Sequence, residues 1–119
     1  MYSGYLLTEN SRAKLLEIFP PKYSRIICHH ITEKFDTPSD EPVPQIPKNV
    51  QVTGYIDSGD GVEGLLVKID GSSIRPDGNT YHITLSISEN RKPKDTNDYI
   101  QDAEPVDPIN IMVIPKIFK

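Results

Sequence analysis

Asn79-Thr80-Tyr81-His82-Ile83-Thr84-Leu85-Ser86-Ile87-Ser88 reads as the clearest strand in the chain. Residues i and i+2 of a strand share a face. Tyr81, Ile83, Leu85 and Ile87 therefore line one side, and His82, Thr84 and Ser86 line the other. The tripeptide His-Ile-Thr inside this stretch occurs once more, at His30-Ile31-Thr32, in a chain with only three histidines. Arg25 to Thr32 also reads as a strand, so each copy sets an imidazole beside a hydroxyl.

Outward from these two strands, Tyr2 to Leu7 predicts a short first strand and Thr8 to Phe19 a helix. Ala13, Leu15, Leu16 and Phe19 supply the helical spacing, Thr8 or Asn10 the cap, and Pro20-Pro21 the stop. Asp36 to Lys48 carries Pro38, Pro42, Pro44 and Pro47 and reads as a surface loop. Asn49 to Asp57 and Glu63 to Asp70 alternate as strands around the turn Ser58-Gly59-Asp60-Gly61. Thr96 predicts the cap of a short helix running to Ala103, and Ile109 to Phe118 a last strand whose Pro115 marks an edge or bulge. The pattern is α+β: a mostly antiparallel sheet with one or two helices packed on one face.

At 119 residues the chain predicts one domain, spanning residues 1–119, with 36% apolar and 25% charged residues. A net charge of −4 argues against a basic groove for long nucleic acid and leaves room for a small phosphate-bearing ligand. Cys28 is the single cysteine, so an intramolecular disulfide is excluded. The N-terminus lacks the pattern of a signal peptide, and no stretch approaches the ~20 apolar residues of a membrane span. These features predict a cytoplasmic protein with no membrane partner; oligomeric state is not legible.

If the two His-Ile-Thr strands share one sheet and one polar face, Cys28, His30 and Thr32 meet His82, Thr84 and Ser86 on a common surface. Breaking a phosphodiester requires one group to take a proton from the nucleophile and another to give one to the leaving oxygen. Histidine serves both ends because it titrates near neutrality, and the threonine hydroxyls can hold the nonbridging oxygens. No metal or other cofactor is needed. The plainer reading is two half-exposed strands with polar outer faces. A zinc site of Cys28, His30 and His82 is a third reading, although a fourth protein ligand is not evident. His29 falls on the opposite face and reads as a partly buried or edge residue. Arg75, Arg91, Lys92 and Lys94 read as solvated loop cations.

Paired His-x-Thr motifs on strands of an α+β fold resemble the two-histidine (2H) phosphoesterases. The stretch from Gly54-Tyr55-Ile56 through Tyr81-His82-Ile83-Thr84-Leu85-Ser86, followed by Lys92-Pro93 and Thr96-Asn97, is similar to a subgroup associated with RNA repair. The resemblance spans about Arg25 to Tyr99. It implies a two-lobed fold with one lobe reduced, since the chain is shorter than a typical member. It implies His30 and His82 as general acid and base, in either order, with Thr32, Thr84 and Lys92 on the substrate phosphate. The implied substrates are RNA ends bearing a 2′,3′-cyclic phosphate or small, linear or cyclic, oligonucleotides. A non-catalytic nucleotide-binding or protein-interaction module is the alternative that keeps the same residues.

Overall fold

In the computed structural model, which describes residues 1–119, the chain runs β1 (Tyr2–Leu7), α1 (Glu9–Ile18), β2 (Arg25–Ile26), β3 (His30–Lys34), β4 (Val50–Asp57), β5 (Val62–Ile69), β6 (His82–Ile87), a 3₁₀ helix (Pro93–Asp102), β7 (Glu104–Ile111) and β8 (Val113–Phe118). The strands form two antiparallel sheets, one ordered β3-β1-β8 and the other β2-β6-β5-β4-β7. The protein is α+β, and no helix is long and apolar enough to cross a membrane.

The expected strand from Arg25 to Thr32 is two strands in different sheets. Arg25 and Ile26 pair with β6, while His30 to Lys34 pair with β1. Between them Cys28 adopts a left-handed backbone (φ 41) that ends the extended run. The expected final strand divides in the same way at Met112: β7 borders the larger sheet and β8 the smaller. Each edge of one sheet thus passes its chain to an edge of the other. Pro105, Pro108 and Pro115 all fall on these edge strands, where a missing N–H costs no ladder bond to a neighbour.

The two sheets share one core. Tyr5, Leu7 and Ile31 from the smaller sheet meet Val52, Leu65, Val67, Ile83 and Leu85 from the larger, with Leu15 of α1 closing one side. Burying this apolar surface is the main force holding the sheets together. Of the two expected caps, Thr8 or Asn10, Thr8 caps α1 by accepting from the Ser11 N–H, and the helix starts at Glu9. Within α1, Leu15 is buried and Phe19 beyond it stacks on Tyr55, whereas Ala13 is exposed.

The two helices do not share one face. Leu15 packs with the Ile83 and Leu85 side of β6, while Thr96 of the 3₁₀ helix sits against Thr84 on the other. That helix begins at Pro93 rather than after Thr96, with Lys92 before it donating its backbone N–H to Asp95. The polar face of β6 is therefore roofed rather than open to water.

Candidate active site

His30 and Thr32 come from β3, and His82 and Thr84 from β6. The expectation that they share a sheet is replaced by strands from two sheets whose polar faces meet. The four side chains, with Lys92, line one cavity of about 410 Å³. Cys28 is not among them. Its left-handed backbone turns the thiol into the core, fully buried, where burial pushes its pKa up to about 11.

The strand partners of the two threonines repeat. Thr32 lies opposite Gly4 and Thr84 opposite Gly64, and each glycine adjoins a shift in register. A side chain at either glycine has no room. A Cβ at position 4 would lie 2.3 Å from the Ile31 carbonyl oxygen, and one at position 64 would lie 2.8 Å from Thr96 Cγ2. Thr96 occupies the space that Gly64 leaves.

The hydroxyls behind this common frame differ. Thr84 Oγ1 donates to the Pro93 carbonyl oxygen at 3.0 Å and lies 2.8 Å from Thr96 Oγ1. A hydroxyl has one proton, so Thr96 is the donor of the second bond and Thr84 is spoken for. Thr32 makes no side-chain hydrogen bond to protein while lining the same cavity.

Arg75 overturns the expectation of a solvated loop cation. Its side chain is 2% exposed, Nε donates to Asp77 at 2.8 Å, and the guanidinium lies 5.1 Å from the centre of the Phe35 ring. Its terminal nitrogens have no protein partner, and the residue lines the cavity beside His82 and Thr84. Lys92 and Lys94 add two exposed ammonium groups from the mouth of the 3₁₀ helix, and no carboxylate lines the cavity. Arg91, by contrast, is held outside by Asp60, Asp95 and Tyr99. The burial of Arg75 depends on Phe35, which approaches from a distant loop; nothing in the local sequence signals it.

Both histidines are biased toward the neutral form. Burial, then the nearby His29 and His82, hold His30 down to about 4, and burial also lowers His82. His82 Nδ1 lies 3.0 Å from the Thr80 carbonyl oxygen. A carbonyl only accepts, so Nδ1 carries the proton and Nε2 of the neutral ring is bare, able to take a proton. His30 stands in an aromatic wall, its ring 5.4 Å from Tyr2 and 5.0 Å from Phe118. Tyr2 and Phe118 stack on each other at 4.8 Å. Tyr2 and Phe35, both on the cavity wall, carry no motif that marks them in the sequence.

Nowhere do three His, Cys, Asp or Glu side chains converge in a metal-holding group, so the Cys28-His30-His82 arrangement is not formed. Ser86, next along the polar face of β6, turns to structure instead. It donates at 2.6 Å to Glu63, a buried carboxylate that also accepts from Tyr55 and from the Lys22 N–H. Glu63 escapes sequence reading because an acidic residue after a tight turn looks solvated. No family model, curated protein or solved structure matches this chain.

Proposed function

We propose that this protein is a metal-independent phosphodiesterase of the two-histidine kind, with the two sheets as its lobes and the smaller one reduced. The observation that carries the reading is a single cavity in which two histidines, a partnerless threonine hydroxyl and a buried arginine converge without any carboxylate. A phosphodiester anion matches that set. Arg75, Thr32 and Lys92 meet the nonbridging oxygens, where fixed donors stabilise the charge that builds up at phosphorus. His82 Nε2 takes a proton from the attacking water as its oxygen bonds to phosphorus. His30 gives a proton to the departing oxygen as the P–O bond breaks.

The repeated arrangement of a His-x-Thr strand opposite a glycine at a register shift supports the two-lobed reading. The cavity size and the acidic overall charge favour RNA ends with a 2′,3′-cyclic phosphate, or small cyclic oligonucleotides, over a long polyanion. The aromatic wall of Tyr2 and Phe35 offers a surface for a base.

The test is turnover, in EDTA, of 2′,3′-cyclic nucleotides, RNAs ending in a cyclic phosphate, and cyclic di- and trinucleotides, with His30→Ala and His82→Ala alongside. Turnover that persists in EDTA and is lost in both variants is the expected result. Binding without turnover would leave a nucleotide-binding module.

A further inference from the structure

His82 has its tautomer fixed by the Thr80 carbonyl, but His30 has no carbonyl or carboxylate on its ring. Its Nδ1 instead lies 3.0 Å from Nδ1 of His29, with the two rings edge to face at 81°. Neighbours along a strand would point to opposite faces, as expected for His29. Here His29 precedes β3, in the irregular segment that follows the left-handed Cys28, and its ring comes round to meet that of His30. The ring of His29 is exposed, while His30 stands among Tyr2, Phe118 and the cavity wall.

Two facing ring nitrogens form a hydrogen bond only when one of them carries a proton. Which ring carries it decides what His30 can do. If His30 donates from Nδ1, its Nε2 is bare, and the cavity then holds two bases and no acid. If His29 donates, the proton of His30 sits on Nε2. Burial desolvates the His30 ring and disfavours a charge there.

We infer that His29 is a positioning residue for His30: its Nδ1–H donates to His30 Nδ1 and holds the His30 proton on Nε2, toward the cavity. Proton delivery then runs through the pair. His30 gives its Nε2 proton to the leaving oxygen while its Nδ1 accepts the Nδ1 proton of His29, whose exposed ring takes one from water on Nε2. The cycle closes when the proton held by His82 reaches His30 Nε2 through water, the His30 Nδ1 proton returns to His29 Nδ1, and His29 Nε2 gives its proton back to water. This explains how a histidine held down to about 4 can act as an acid near neutrality. The titratable groups facing His30 are His29, His82 and Tyr2, with Arg75 acting on His82. The part played in turnover rests on the phosphodiester reading; the tautomer does not.

The experiment is ¹⁵N NMR of the histidine rings in the full-length protein and in His29→Ala. The expected result is a proton bonded to His29 Nδ1, a scalar coupling across the hydrogen bond to His30 Nδ1, and a protonated His30 Nε2. In His29→Ala the coupling disappears and the midpoint of His30 rises. A proton bonded to His30 Nδ1, or the absence of any coupling between the rings, overturns the inference. On a substrate that wild type turns over, His29→Ala lowers kcat about tenfold or more with KM little changed. His29→Asn, which keeps an N–H donor, recovers part of the loss. An unchanged kcat and pH profile in His29→Ala overturns the catalytic role. Absence of turnover in wild type sinks the phosphodiester reading instead, and the NMR result still decides the tautomer.

Discussion

Thr84 gives its hydroxyl proton to the Pro93 carbonyl oxygen at 3.0 Å, and Thr96 stands 2.8 Å away with a proton to give back. The second His-x-Thr hydroxyl is thereby tied to the helix that carries Lys94 and begins beside Lys92, whereas Thr32 has no such tie. The two threonines, equivalent in sequence, have different work.

That difference is measurable. Thr84→Val leaves the fully buried Thr96 hydroxyl and the Pro93 carbonyl without their partner, and costs about 1–3 kcal/mol of stability. Thr32→Val leaves the urea midpoint close to wild type and instead raises KM for the phosphodiester. Equal stability losses in the two variants would show that the hydroxyls are structurally alike.

Arg75→Lys keeps a positive charge but loses the planar fork and the stacking on Phe35. The expected result is a ligand affinity about 10–100-fold weaker, the scale of one or two charge-assisted hydrogen bonds. Titration with a non-hydrolysable cyclic nucleotide measures it directly, and wild-type affinity in Arg75→Lys would remove the guanidinium from the site.

Stability should depend on pH through His30. Its ordinary value of 6.5 applies in the unfolded chain, and folding lowers it to about 4. Between these values the unfolded chain binds more protons than the native one, so stability falls as the pH drops through this window and is fully present above it. His82 is shifted in the same direction. Urea melts of wild type and His30→Phe from pH 7 to pH 4 check this, with a shallower slope expected in the variant.

Gly4→Ala places a Cβ 2.3 Å from the Ile31 carbonyl oxygen, a backbone atom that moves only with its strand. A loss of about 1–3 kcal/mol follows from such overpacking. Because β1 pairs with β3 at this point, His30 and Thr32 shift with it, and turnover falls along with stability. A variant with wild-type melting and rates would show that the β1–β3 pairing absorbs the methyl group.

Much of this was legible in the chain. The alternation of Tyr81 to Ile87 fixes which side of β6 is core, the Ser58 to Gly61 turn pairs β4 with β5, and Thr8 with Pro20 bounds α1. What escaped reading depends on contacts between distant segments. The break at Cys28 lies in the middle of an apolar, strand-like run, and only the second sheet requires it. Arg75 looks solvated until Phe35 covers it, and Glu63 until Tyr55 and Ser86 reach it. Gly4 sits mid-strand with no turn around it to suggest that Thr32 pairs with it across the ladder.

Helix α1 touches both places where the chain leaves one sheet for the other. Arg12 Nε donates to the Cys28 carbonyl oxygen at 3.0 Å, and the adjacent Ser11 Oγ accepts the Met112 N–H at 2.7 Å. His30 and His82 belong to opposite sheets, so the gap between them is the opening of a pair of callipers whose two pivots are pinned by consecutive residues on one helical turn. The spacing of the imidazoles is thus held from behind the core, by two side chains that are no part of the lining of the site.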